Sequence, residues 1–225
     1  MSPESKCFQA EDAPLSLTNR RPHVLRGLVE VGLVFGLIII VVWTPLGRLN
    51  TAVTVLAAGG ILWLTLRGPY SAREAGLTQP MNGLPAILAA GMLAILAVAI
   101  LGLLLRSLGS AHPVALERSW QYCIWAMLQE FILQSFFFLR LESALGARRA
   151  VFVAAGLFSL AHIPSPVLTI GGLVGGCLFC ELFRRYRNII PLGIVHAGLG
   201  LTIAAALPDS MLHHMRVGLG YLTHP

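Results

Sequence analysis

The chain has 225 residues, of which 56% are hydrophobic and only 12% charged, and its mean hydropathy is +0.76. A soluble domain of this length carries about 25% charged residues, so a water-soluble globule is excluded. The net charge of +6 therefore reports orientation in a bilayer and gives no reason to expect a nucleic-acid partner, because Lys and Arg gather in cytoplasmic loops.

In chain order, residues 1–23 read as a polar tail with no small-residue cleavage site, hence not as a cleavable signal. Apolar runs at Val24–Trp43, Thr51–Leu66 and Leu84–Leu105 predict three membrane spans. The breakers Gly68, Pro69 and Gly76 lie in the connector between the second and third. After a loop at Arg106–Glu117, a fourth span covers Arg118–Leu139, followed by a basic connector, Glu142–Arg149. Ala150–Ile163 reads as a short fifth span stopped by Pro164 and Pro166, Val167–Phe183 as a sixth and Asn188–Leu207 as a seventh. Residues 208–225 are too short and mixed to span, and are expected to lie at the interface or over the mouth of the bundle.

The expected fold is thus all-α, a polytopic transmembrane bundle of seven to eight helices. It forms one domain over residues 24–207 with its core at 119–207. With the N-terminus cytoplasmic, only Arg48, Arg106, Arg118 and Arg216 of the sixteen Lys and Arg fall outside. That bias supports an N-in orientation, as in a bacterial inner membrane. Cys7, Cys123, Cys177 and Cys180 form no disulfide framework, and the CxxC of the last two reads as packing. Gly171, Gly172, Gly175 and Gly176 overlay two GxxxG patterns, which let a neighbouring helix approach.

Three ionisable residues interrupt these runs: Glu130, His162 and His196. At ~1.5 Å per residue they lie ~13, ~18 and ~12 Å from the inner ends of their spans, near the middle of a ~30 Å core. A charged group at that depth costs about 2.5–3.5 kcal/mol on insertion scales, so it normally has a partner and a function. Gln129 flanks Glu130, Gln134 lies one turn on from it, and Phe158 lies one turn before His162. The three ionisable residues are expected to form one site.

These residues carry a resemblance. The segments Gln129-Glu130-Phe-Ile-Leu-Gln134, Phe158-Ser-Leu-Ala-His162 and His196-Ala-Gly-Leu-Gly200 resemble the EExxxR, FxxxH and HxxxN motifs of the CAAX protease and bacteriocin-processing family (CPBP, or Abi), which are glutamic-type intramembrane proteases. Order and spacing agree, whereas Gln129 replaces the family's first Glu, Gln134 its Arg and Gly200 its Asn. The resemblance implies hydrolysis of a peptide bond in a membrane-anchored protein or peptide, without a cofactor. A myxosortase-like branch, which processes C-terminal sorting signals, is one placement within the family. On this reading Glu130, oriented by His162, takes a proton from water, and His196 polarises the scissile carbonyl. Gln129 and Gln134 supply amide donors, with Phe158 in support.

Three alternatives stay open. Two His and one Glu also make a catalytic zinc set, which would use Glu130, His162 and His196, although no HExxH spacing is present. A non-catalytic immunity or scaffolding protein would bind a peptide in the same cavity. A proton-coupled transporter would use the Glu and His groups as a relay.

Overall fold

In lipid the backbone must satisfy its own hydrogen bonds, which confines long apolar runs to helices. The computed structural model describes residues 17–105 and 116–223, and no strand occurs among them. The helices are α1 (Leu17–Trp43), α2 (Arg48–Leu66), α3 (Leu84–Leu105) and α4 (Leu116–Glu130). α4 runs without a break through a π-helical segment, Phe131–Phe138, into α5 (Leu139–Leu145). α6 (Ala147–Leu160), α7 (Pro166–Tyr186) and α8 (Ile189–Ala206) complete the core, and two short helices, α9 (Asp209–Leu212) and α10 (Gly218–Thr223), follow.

Among the described residues, six helices are long and apolar enough to cross a membrane: Val24–Trp43, Arg48–Leu66, Leu84–Leu105, Ser119–Leu145, Pro166–Tyr186 and Ile189–Ala206. The sequence predicts seven spans, and the difference lies at two places. α6 has 14 residues and ends inside the bundle, because the turn at residues 161–164 leads into α7, whose first helical residue is Pro166. The expected connector at Glu142–Arg149 is helical on both sides of Gly146, whose φ of 81° breaks the rod. At the N-terminal end, helix already begins at Leu17, inside the expected tail. The rest of that tail and residues 106–115 of the predicted loop lie outside the described residues.

Close approach at glycine fixes the packing around the site. A Cβ on Gly176 would lie 3.1 Å from Ala155, and one on Gly172 would touch Phe158, Ser159 and His162, which seats α7 against α6. Gly171 and Gly175, the other half of the glycine pattern, face open space. α8 is held against α4 through Met127 at Gly193 and against α3 through Val195 at Gly91.

An ion pair ties α1, α2 and α5 together. Arg140, 1% exposed, donates from Nε to Glu30 at 2.7 Å, from Nη1 to the Phe136 carbonyl at 3.2 Å and from Nη2 to the Leu64 carbonyl at 3.1 Å. Its guanidinium lies 3.7 Å from the centre of the Phe136 ring. Glu30 thus has a partner 110 residues away, in addition to Arg26 one turn before it.

Candidate active site

Glu130 closes α4 just where the helix widens into the π segment. Segments of this kind recur at functional sites because the extra residue per turn redirects the side chains. Glu130 is fully buried. Its Oε1 is 2.9 Å from His196 Nδ1, and its Oε2 accepts from Gln134 Nε2 at 3.1 Å. Gln134 is also fully buried, and its Oε1 has no partner among the described residues. Against a carboxylate the His196 Nδ1 is the donor.

His162 stands in the turn after α6, not on the helix. Its Nδ1 donates to the Phe158 carbonyl at 2.7 Å. The Phe158 ring packs against both imidazoles, with its centroid 4.7 Å from that of His162 and 5.8 Å from that of His196. Phe179 also packs against His196, at 5.6 Å between ring centroids. The sequence reading has the acid oriented by His162; its imidazole partner is His196 instead.

Both imidazoles line a cavity of about 700 Å³, together with Gln129, Phe158, Tyr122 and the bare backbone of Gly171 and Gly175. Its wall is mostly apolar. Gln129 faces this space, whereas Glu130 and Gln134 stand behind the wall. An imidazole backed by a buried carboxylate can accept a proton from water and hold it as an imidazolium that the carboxylate stabilises. Among the described residues no group of three His, Cys, Asp or Glu is arranged to hold a metal ion. Both Glu130 oxygens are engaged by hydrogen-bond donors, Oε1 by His196 Nδ1 and Oε2 by Gln134 Nε2.

Tyr122 is the residue that sequence reasoning misses. A Cβ on Gly200 would collide with the Tyr122 hydroxyl, so that hydroxyl occupies the place where a side chain at position 200 would start. Position 200 is the one at which the HxxxN pattern has lost its Asn. The available signal was the pairing of a glycine at a motif position with an aromatic donor in a facing helix.

A bundle of membrane-spanning helices with a buried carboxylate–imidazole pair beside a cavity defines a polytopic membrane protein with an acid–imidazole site at membrane depth. Residues 118–202 match the family model described as type II CAAX prenyl endopeptidase Rce1-like. The match runs from the first turn of α4 into α8 and takes in all three motifs, so the resemblance to the CAAX protease family drawn from those motifs is borne out at the level of the family. No curated protein matches the chain, and no solved structure matches it.

Proposed function

We propose that the chain is an intramembrane endopeptidase, which hydrolyses a peptide bond in a membrane-anchored protein or peptide by water activated at the Glu130–His196 pair. The observation that carries this reading is the 2.9 Å contact between a fully buried carboxylate and an imidazole that lines an apolar cavity. Burial without such a partner would be strongly unfavourable, and the contact holds the imidazole in the tautomer a base needs.

Water in the cavity gives a proton to His196 Nε2 as its oxygen attacks the scissile carbonyl carbon. Gln129 and the Tyr122 hydroxyl, both on the cavity wall, donate hydrogen bonds to the oxyanion that forms. The His196 imidazolium, balanced by Glu130, then returns the proton to the leaving nitrogen as the C–N bond breaks, giving a carboxylic acid and an amine. His162, with its Nδ1 committed to Phe158, presents Nε2 to the same space and orients water or the leaving nitrogen. Gln129 is an amide and cannot serve as a base. The proton therefore passes to an imidazole, and Glu130 acts through it.

The cavity is lined towards lipid by exposed Leu62, Trp125 and Leu128. This supports entry of an apolar substrate segment sideways between α2 and α4. The family match supports a peptidase. Processing of C-terminal sorting signals is the form of substrate we favour, and the bacterial inner membrane is the proposed location.

A non-catalytic peptide-binding role has one observation in its favour, the amide of Gln129 at the wall where the family pattern has a carboxylate. Co-expression of candidate single-span substrates with wild type and with Glu130→Ala, His162→Ala and His196→Ala separates the two readings. The protease reading requires cleavage by wild type and its loss in His196→Ala at unchanged protein level. Substrate captured but left whole by wild type identifies a binder.

A further inference from the structure

The two ends of the bundle differ in charge and in closure. At one end, the connector between α2 and α3, the α5–α6 junction and the α7–α8 junction hold Arg67, Arg73, Arg148, Arg149, Arg184, Arg185 and Arg187. The other end, formed by the α1–α2 turn, the start of α4 and the residues after α8, holds Arg48, Arg118 and Arg216 among the described residues. The Arg-rich end is the cytoplasmic one, because short cytoplasmic loops retain Lys and Arg.

That end is also shut. Ala75, 4% exposed, accepts from Ser135 Oγ at 2.8 Å, and the Gly76 carbonyl accepts from Ile189 N at 3.1 Å. The fully buried Asn188 donates to the carbonyls of Pro80 and Asn82, each at 2.9 Å. Asn82 in turn donates to the Tyr186 carbonyl at 2.6 Å. The α2–α3 connector is thereby hydrogen-bonded across the bundle end, and no residue of 67–83, 138–156 or 180–195 lines the cavity.

The lining comes from the middle and the opposite parts of the same helices. α1 contributes Phe35 to Val42, α2 Thr54 to Leu62, and α8 His196 to Ile203, and the segment after α9 adds His214, Met215 and Val217. Gln129 lies ten residues from the start of its span at Ser119, ~15 Å below the Arg-poor surface.

We infer that the catalytic cavity opens to the extracytoplasmic side. Its substrate class is then exported polypeptides with an apolar anchor, whose scissile bond lies in or just outside the outer leaflet. The substrate half of this inference rests on the protease reading above; the orientation half does not. A tail confined to the cytoplasmic face, prenylated or not, meets the sealed end and cannot reach His196.

The test uses the full chain in intact cells. Cys7, Cys123 and Cys177 are replaced by serine, and the fully buried Cys180 is kept. Thr54→Cys places a thiol on an exposed position of the cavity lining, and Ala72→Cys places one on the exposed α2–α3 connector. A membrane-impermeant maleimide is expected to label Thr54→Cys in intact cells and to label Ala72→Cys only in inverted vesicles. Labelling of Ala72→Cys in intact cells, or of Thr54→Cys only after inversion, overturns the orientation.

Two reporters then test the substrate class. One is a single-span protein with its cut segment outside, and the other is a farnesylated protein confined to the cytoplasm. Cleavage of the first alone, absent in His196→Ala, is the expected result. Cleavage of the farnesylated reporter by wild type but not by His196→Ala overturns the assignment. If neither reporter is cut, the substrate assignment fails together with the protease reading, while the labelling still decides the orientation.

Discussion

Replacing Glu130 by glutamine separates the role of the carboxylate in chemistry from its role in the fold. Glu130 accepts two buried hydrogen bonds, from His196 Nδ1 and from Gln134 Nε2. In Glu130→Gln the remaining carbonyl oxygen keeps the bond to Nδ1, and the new amide group faces Gln134. The Gln134 amide can turn over, because its Oε1 has no partner to lose. Two bonds to a charged acceptor, about 1.5–3 kcal/mol each, become neutral bonds of about 0.5–1.5 kcal/mol. The stability loss is then about 2–3 kcal/mol, or ~4–12 °C in Tm for a chain of this size. Glu130→Ala leaves the His196 Nδ1 and Gln134 donors unpaired at about 1–3 kcal/mol each, and destabilises more. Activity orders differently. Without the carboxylate the His196 imidazolium is uncompensated, and the rate falls by roughly 10²–10⁴ in both variants. The assay is cleavage of a co-expressed single-span substrate alongside thermal unfolding of the purified protein. A Glu130→Gln variant that cuts at the wild-type rate refutes the reasoning.

Tyr122→Phe removes a donor from the cavity wall with little change in packing. Its rate is expected to fall about 10²-fold, within the range for loss of one oxyanion donor, with Tm unchanged; an unaltered rate removes Tyr122 from the mechanism. Gly175→Leu extends a side chain into open cavity space. Binding of an apolar substrate segment should weaken about 10-fold or more without loss of stability, as read from a raised KM. Arg140→Met leaves Glu30 facing the bundle without its buried partner. Breaking a buried pair this way costs about 3–5 kcal/mol, so unfolding should come at markedly lower temperature. A double variant that also carries Glu30→Met should recover most of that loss.

The span pattern and the polar trio were legible because both rest on the penalty for polar groups in lipid. That penalty marks a residue such as Glu130 wherever the bundle places it. Depth was legible as well, since helical rise converts position into distance. Azimuth was not. The π segment at Phe131–Phe138 breaks the 3.6-residue period, so the sequence does not say that Gln129 faces the cavity while Glu130 turns behind it. The same limit hid the partner of the acid, because two imidazoles at one depth are equivalent until helix rotation is known. The glycine pattern in α7 was read as packing, and half of it packs: Gly172 and Gly176 seat α6, while Gly171 and Gly175 line the cavity. Contacts between distant segments carried no local signal. Glu30 with Arg140 and Tyr122 with Gly200 each depend on how whole helices dock.

The protonation of His196 tests the account most directly. In selectively ¹⁵N-histidine-labelled protein in nanodiscs, resonances assigned to His196 by their loss in His196→Gln report which ring nitrogen holds the proton. The account predicts a protonated Nδ1 and a bare Nε2 in the resting protein, with the Nδ1 signal moving in Glu130→Gln. A proton on Nε2 with Nδ1 bare would contradict it, since the nitrogen facing water would then have nothing with which to take a proton.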